Sequence, residues 1–193
     1  MRALFFSILF ICFISQVSVA AEVKVSYLGK GKFSAFASGQ SSQRKATILD
    51  IIADLENQCM QGCKYYLPSI RETVLVDQVS DQEFYTWTYV EDMLDSQFYS
   101  KIIVTDSSVS YSTPTAEELK RIAASGRKHR PVFKTREGEW RVTEKFSSDG
   151  KFTHSEIVLN LKVGSSRRLI KLFSKRVVKK MKKNIQLNYK LFH

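Results

Sequence analysis

Few residues of this sequence have the types and spacing that catalysis requires. The histidines are His129, His154 and His193, and none belongs to a nucleophile or metal-binding motif. The sequence contains no GxSxG nucleophile motif, no HExxH zinc motif and no glycine-rich phosphate loop. His154 and Glu156 lie on one side of an alternating segment, and a solvent-exposed pair is the simpler interpretation. The sequence therefore predicts no catalytic residue, no metal site and no cofactor.

Glu144 is the acidic residue whose position is hardest to explain. It is in phase with Trp140, Val142 and Phe146 in an alternating segment, and an unpaired carboxylate on an inward side is costly. Two interpretations stay open: Glu144 contacts the polar end of a ligand, or it forms a buried ion pair or reaches water near a sheet edge. An enzyme of the cyclase or hydrolase kind would need such a group, and Glu144 is its one candidate.

Cys59 and Cys63, in "CMQGC", form a possible disulfide. The third cysteine, Cys12, lies within the N-terminal segment that we expect to be cleaved as a signal peptide. The two that remain are an even number, which favours a bridge in an oxidising compartment. Their spacing within a regular helix is a poor fit to disulfide geometry, but a break at Gly62 would let them approach. A bridge and two free thiols both stay open.

The spacing of apolar residues changes along the chain and predicts which elements position these residues. A strand, "EVKVSYLG", precedes a polar stretch rich in glycine and serine, and "RKATILDIIADLEN" has apolar residues at helical spacing. A short helix or turn carries the cysteines. The segments "RETVLVDQV", "QEFYTWTYVED", "SQFYSKIIVTD" and "SSVSYST" then alternate with a period of two, which predicts consecutive antiparallel strands.

A short helix interrupts these strands at "TPTAEELKRIAASGRKHRP". Thr115 and Glu118 have the spacing of a capping box, and Gly126 is placed to end the helix. The "RKHR" that follows is most simply a solvated loop. Two more strands, "EWRVTEKFS" and "FTHSEIVLNLKV", follow with "SSDG" as the hairpin turn between them.

The last segment contains "RRLIKLFSKRVVKKMKK", residues 167 to 183, which combines an apolar face with a basic face. We expect one helix from Ser165 to about Tyr189, with "GSS" as its capping signal. The polar Ser174, Asn184 and Asn188 fall within or beside the apolar side. The basic face, expected to contact a membrane, comprises Arg168, Lys171, Lys175, Arg176, Lys179, Lys182 and Lys183.

The net charge is concentrated in this helix. Residues 22–164 hold 19 Lys plus Arg and 19 Asp plus Glu, whereas residues 165–193 hold ten basic residues and no acidic one. Near anionic lipid each exposed cation contributes about 1 kcal/mol of attraction, so this face is suited to an anionic membrane surface. The alternative is a solvated helix exterior that keeps the protein soluble.

The first 21 residues predict the compartment. "MRALFFSILFICFISQVSVAA" has a basic start, an apolar stretch and small residues at its end, as in a cleaved signal peptide. A retained N-terminal anchor is the alternative. We expect an exported protein, periplasmic or secreted, that meets no nucleic acid.

The element order gives an α+β class, in which one antiparallel sheet buries a face that the terminal helix alone is long and apolar enough to cover. Three stretches carry a resemblance: "CKYYLPSIRETVLVDQVSDQEFYTWTYVEDMLDSQFYSKIIV", "GEWRVTEKFSSDGKFTHSEIVLNLKVG" and the terminal helix. In them the chain resembles the START-domain branch of the helix-grip superfamily (SRPBCC), over nearly all of residues 22 to 190. The resemblance implies one domain, residues 22–193, with a curved antiparallel sheet wrapped around the C-terminal helix and an internal hydrophobic cavity.

The resemblance also implies a function. The cavity would hold a phospholipid, fatty acid, sterol or similar hydrophobic molecule, which the protein, expected to be a monomer, binds or transports. An enzyme using the same cavity and a binding module for acidic envelope polymers or a partner protein are the alternatives. Tyr85, Trp87 and Tyr89 could instead be ordinary core. The residues expected to line the cavity are Val74, Val76, Tyr85, Trp87, Tyr89, Trp140, Val142, Glu144, Phe146, Ile157, Leu159, Leu161, Phe173, Val177, Met181 and Ile185.

Overall fold

The structure, a computed structural model, describes residues 22–40, 43–66, 70–91, 95–165 and 167–191. The expected signal peptide, residues 1–21, and the side chain of Arg168 lie outside this described part.

The described elements alternate between strands and three α-helices. The first half contains β1 (Glu22–Gly29), β2 (Lys32–Gln40), α1 (Lys45–Ala53), a 3₁₀ turn (Leu55–Asn57), β3 (Gln58–Cys59), β4 (Tyr65–Tyr66), β5 (Ile70–Ser80) and β6 (Glu83–Val90). The second half contains β7 (Ser96–Val104), β8 (Ser108–Ser112), α2 (Ala116–Ile122), a 3₁₀ turn (Ala123–Ser125), β9 (Thr135–Phe146), β10 (Phe152–Gly164) and α3 (Arg167–Leu191).

Eight strands form one antiparallel sheet in the order β1-β2-β10-β9-β8-β7-β6-β5. The N-terminal hairpin joins the rest of the sheet because β2 pairs with β10, with Ala37 opposite Ile157 and Ala35 opposite Leu159. The register is irregular in β1–β2, β5–β6 and β9–β10, and such bulges bend strands and increase their twist.

β2 corrects the sequence analysis, which treated this polar stretch as a connection. Phe33, Ala35 and Ala37 alternate with polar residues, and each is at most 2% exposed. The buried side of the strand carries two alanines, so the alternation has little apolar bulk and was missed. Its small side chains leave room for α3, which packs against β1 and β2.

The inner face of the sheet packs against α3 and α1. The core there includes Ile48, Ile52, Ile157, Met181 and Ile185. Helix α1 lies against β8 and β9, whereas α3 lies against β1 and β2. The two helices therefore cover different parts of the same face, with β10 between the strands that they contact.

The outer face has a second, smaller core beneath α2. It is formed by Tyr85, Trp87, Tyr99 and Ile122. Both capping-box hydrogen bonds of Thr115 are present, which confirms the predicted helix start, and Gly126 ends the following 3₁₀ turn with φ 73°. α2 is therefore a fixed cover on the outer face of the sheet.

The cysteines lie in and after β3 rather than in a helix. Cys59 and Cys63 form a disulfide with Cα atoms 5.5 Å apart, which resolves the alternative left open by the sequence. Gly62, with φ 80°, supplies the turn between them. Within the described residues, no helix is long and apolar enough to cross a membrane.

Candidate ligand-binding cavity

An inner cavity of about 250 Å³ lies between the sheet, α1 and α3. The residues that line it come from six strands of the sheet, from α1 and α3, and from the 3₁₀ turn and β3 that follow α1. They are Ile52, Leu55, Gln58, Ile70, Thr86, Thr88, Val90, Phe98, Ser100, Ile102, Val109, Tyr111, Trp140, Leu159, Leu161, Met181 and Asn184. Most are apolar, so the cavity suits a hydrophobic molecule.

An outer cavity of about 240 Å³ lies beside it, between α3 and the segment before β9. Its lining is Val90, Ser96, Phe98, Val132, Phe133, Arg136, Leu161, Val163, Phe173, Arg176, Val177 and Lys180. Val90, Phe98 and Leu161 line both cavities, so the two are neighbours with a shared wall. Ligand pockets usually measure about 300–1,000 Å³; each of these two cavities is smaller than that, and together they reach the range.

The inner cavity contains hydroxyl groups that have no protein partner in the described part of the chain. Thr86 is 1% exposed, and its hydroxyl makes no hydrogen bond to any described residue. The Tyr111 hydroxyl likewise has no partner there, and burial raises the pKa of this phenol, so it is a neutral donor at neutral pH. These groups could bind a polar atom of a ligand or a water molecule.

Gly138 determines where the Tyr111 ring can lie. Tyr111 on β8 pairs with Gly138 on β9, and a Cβ at that glycine would overlap the ring. The ring therefore packs directly on the backbone of β9. Glycine is required here because of this close approach.

Arg136 is a buried cation in the wall of the outer cavity. It is 9% exposed, and its guanidinium donates to the carbonyl oxygens of Phe133 and Tyr99, both at 3.0 Å. The guanidinium carbon lies 3.9 Å from the centre of the Phe98 ring. Burial lowers the pKa of Arg136 to about 10, so the group is still protonated at neutral pH.

The structure places several predicted cavity residues at these cavities. Trp140, Leu159, Leu161 and Met181 line the inner cavity, and Leu161, Phe173 and Val177 line the outer one. Val142, Ile157 and Ile185 lie on the same side of the sheet, each at most 1% exposed, in the packed core. That any of these residues contacts a ligand stays a prediction.

The predicted aromatic row lies on the other face, so its assignment to the cavity is wrong. Tyr85, Trp87 and Tyr89 belong to the outer core under α2, and Val76 packs with them. Val74 pairs with Trp87 and therefore faces the same way. The alternative interpretation, ordinary core packing, is correct for this row.

Hydrogen bonds explain why the aromatic row faces outward. The Tyr85 hydroxyl donates to Glu118 of α2 at 2.7 Å, and the Trp87 indole donates to the Lys128 carbonyl at 2.8 Å. These polar groups need buried partners, which α2 and the loop after it supply. The "RKHR" segment, expected to be a solvated loop, thus takes part in packing through its backbone.

Glu144 does not enter either cavity. Its carboxylate accepts two hydrogen bonds from the Arg44 guanidinium, at 2.7 and 3.0 Å, and one from the Lys45 amide at 2.6 Å. These bonds hold the pKa of Glu144 below its usual value. The ion-pair interpretation is correct, and Glu144 caps the start of α1 from β9.

Phe146 is also misplaced by the sequence prediction. It is 50% exposed at the end of β9, where its ring meets Phe152 edge to face. Arg44 lies over both rings at 5.3 Å. The strand extends past the region covered by the helices, so correct alternation does not guarantee burial.

Most of the α3 residues that were predicted to contact a membrane face away from the sheet. Lys171, Lys175, Lys179, Lys182 and Lys183 are exposed. The exception is Arg176, which together with Lys180 lines the outer cavity. Leu172, a neighbour of these lysines, is 74% exposed.

The sequence analysis missed the cavity residues of the central strands. Thr86, Thr88 and Ser100 are small and polar, and Arg136 was attributed to no site. The alternation in "EFYTWTYV" could have identified the two threonines. When the aromatic residues of this segment face α2, its threonines face the inner cavity. The Asn184 side chain, noted beside the apolar side of α3, does line the inner cavity.

Comparisons with known proteins identify the fold. No protein-family model matches the sequence, and no curated protein matches it either. Among solved structures the chain is similar to the human StarD13 (DLC2) lipid transfer and protein localization domain, with a TM-score of 0.55 and 10% sequence identity. That similarity covers 91% of this chain and 86% of the human one. The chain therefore has the α+β helix-grip fold of START domains, as its sequence predicted.

Proposed function

We propose that this protein binds a lipid or similar hydrophobic molecule in the cavities between its sheet and α3. The observation that carries this proposal is the pair of adjacent, mainly apolar cavities with a shared wall at Val90, Phe98 and Leu161. The fold similarity to a domain described as a lipid transfer domain supports the same function. As an extension of this proposal, the protein transfers the bound molecule between membranes.

Native mass spectrometry of gently purified protein, together with uptake of fluorescent fatty-acid and sterol probes, tests ligand binding. Ser100→Leu adds apolar bulk to the inner cavity, because Ser100 is 7% exposed and lines it. Ser38→Leu is the matched control, since Ser38 lies on the outer side of β2. We expect Ser100→Leu alone to lower probe affinity. Failure of the wild-type protein to take up any hydrophobic probe would refute the proposal.

We further propose that the outer side of α3 docks on an anionic membrane surface. Lys171, Lys175, Lys179, Lys182 and Lys183 are exposed, and none forms an ion pair within the described residues. At about 1 kcal/mol for each cation near the surface, these five are sufficient for reversible binding. The exposed Leu172 among them adds an apolar side chain that can enter the interface.

Cosedimentation with vesicles of neutral or partly anionic lipid tests docking. Replacing the five lysines by glutamine should abolish binding to anionic vesicles, and added salt should weaken wild-type binding. A control of equal charge change replaces exposed lysines elsewhere: Lys30, Lys120, Lys128, Lys134 and Lys151. Equal losses in both variants would mean that net charge, and not this face, drives binding. Stronger binding to a soluble polyanion than to vesicles would favour an acidic polymer as partner.

Export to an oxidising compartment is also proposed. The signal-like first segment motivates it, and the Cys59–Cys63 bridge is chemically suited to such a compartment. Cell fractionation with N-terminal sequencing of the mature protein tests it. Recovery of the full-length chain from the cytosol would refute it.

A further inference from the structure

The described lining of the outer cavity contains three basic residues and no acidic one. Arg136, Arg176 and Lys180 line it, and no aspartate or glutamate is among the described lining residues of either cavity. Arg176 and Lys180 belong to α3, at the side of the cavity formed by the helix. Arg136 belongs to β9 and is the buried member of the three.

Arg136 lacks an acidic partner in the described part of the chain. None of the ion pairs formed there includes it, although its neighbours Glu137 and Glu139 on β9 do form ion pairs. Those carboxylates point to the opposite side of the strand, because adjacent residues alternate. An arginine has five N–H donors, and the two bonds to backbone carbonyls use only part of this capacity.

A buried cation without a counter-ion is destabilising, and a planar guanidinium is well suited to a carboxylate or phosphate. Tyr111 adds a donor nearby. It faces Gly138, which lies two residues from Arg136 on the same inward side of β9. Its hydroxyl has no partner in the described residues, and the Arg136 charge acts on the Tyr111 phenol.

We infer that the ligand is a single-chain amphiphile with an anionic head, a carboxylate or a phosphate monoester, that pairs with Arg136 while its chain occupies the inner cavity. This inference rests on the proposed ligand binding and specifies its chemical class. The combined cavities lie near the lower end of the usual size range, which suits one chain better than two. Val90, Phe98 and Leu161 line both cavities, so a chain that extends from Arg136 into the inner cavity would contact their apolar side chains.

Competition binding with laurate, dodecyl phosphate and dodecanol tests the inference, since the three share one chain and differ in the head. Wild-type protein should bind at least one anion about 10- to 100-fold more tightly than the alcohol, as expected for charge-assisted hydrogen bonds. R136Q should remove this preference and leave dodecanol affinity unchanged, and R136K should retain part of it. R141Q is the matched control, since Arg141 lies on the outward side of β9 with a side chain 65% exposed.

The outcomes separate the inference from the proposed function. Preference for laurate alone or for dodecyl phosphate alone supports the inference and identifies the head. Equal wild-type affinity for the anions and the alcohol overturns the anionic head but leaves hydrophobic binding intact. Failure to bind all three overturns the inference, and the proposed function falls as well only if the fatty-acid and sterol probes are not taken up either.

A second measurement needs no variant and therefore stands if R136Q does not fold. Laurate labelled with ¹³C at its carboxyl is titrated with acid in the wild-type complex. Pairing with Arg136 should lower the pKa of the bound carboxyl below that of free laurate. A pKa that is raised on binding would place the carboxyl in apolar surroundings and overturn the inference.

Discussion

Three truncations on α3 test whether this helix closes a cavity against the sheet. Ile185 is 0% exposed, Met181 is 5% exposed and lines the inner cavity, and Leu172 is 74% exposed. If the helix packs as described, each truncation should lower the free energy of unfolding. The loss should be largest for Ile185→Ala, intermediate for Met181→Ala and smallest for Leu172→Ala. All three replace a side chain of similar size by alanine on one helix, so differences in helix propensity are small.

The magnitudes follow from the surroundings of each side chain. Truncating a fully packed isoleucine to alanine costs about 2–5 kcal/mol, because transfer free energy and packing contacts are both lost. Met181 already borders open space and has fewer atoms in contact, so we expect about 2 kcal/mol. Leu172→Ala should cost no more than about 0.5 kcal/mol, since surface substitutions rarely exceed that.

Urea unfolding followed by circular dichroism, with thermal melts as a second measurement, gives these values. At about 2–4 °C per kcal/mol for a chain of this size, Ile185→Ala should lower Tm by at least about 4 °C. An unchanged m-value is the control that the unfolded reference is comparable. Equal losses for Ile185→Ala and Leu172→Ala would refute the placement of α3 on the sheet.

Two further predictions concern other parts of the fold. Hydrogen bonds from Tyr85, Thr115 and Lys101 lower the pKa of Glu118 to about 2, so its stabilisation is complete above its ordinary pKa and is lost as pH falls toward 2. The stability difference between wild type and Glu118→Gln in urea should therefore shrink over that acid range, and a constant difference would contradict the assignment. Gly138→Ala should lower the free energy of unfolding by about 1–3 kcal/mol because its Cβ overlaps the Tyr111 ring. Adding Tyr111→Ala should recover part of that loss in a double-mutant cycle, and strict additivity would show that the ring is not the cause.

The sequence was sufficient for the overall fold because its strongest signals are long and local. The 25-residue helix α3 and the 12- and 13-residue strands β9 and β10 have regular apolar spacing over their length. Element order then restricts the topology, since α3 is the long amphipathic element available to cover the sheet. β2 was missed because its buried side, with two alanines, carries little hydrophobic signal.

The site was less predictable because alternation determines which residues share a face but not which face is inside. In β9 the phase was correct for Trp140 and Val142, yet Glu144 and Phe146 follow the same phase and lie beyond the cavities. An ion pair with Arg44 depends on how α1 meets the sheet, which involves residues 100 positions apart in the chain. Local pattern contains no information about such a contact.

The two faces of β6 explain both the wrong assignment and the existence of the cavity. Large aromatic side chains suggest an interior, but Tyr85 and Trp87 have hydroxyl and indole groups that need partners, and α2 with its following loop provides them. The opposite side of the strand then carries Thr86 and Thr88, next to Ser100 of β7. Small side chains leave space unfilled on this side of the sheet, so the volume that a ligand could occupy arises where the sequence is least bulky. Cavity residues in such a sheet are therefore better sought among small polar residues opposite an aromatic row than within the row.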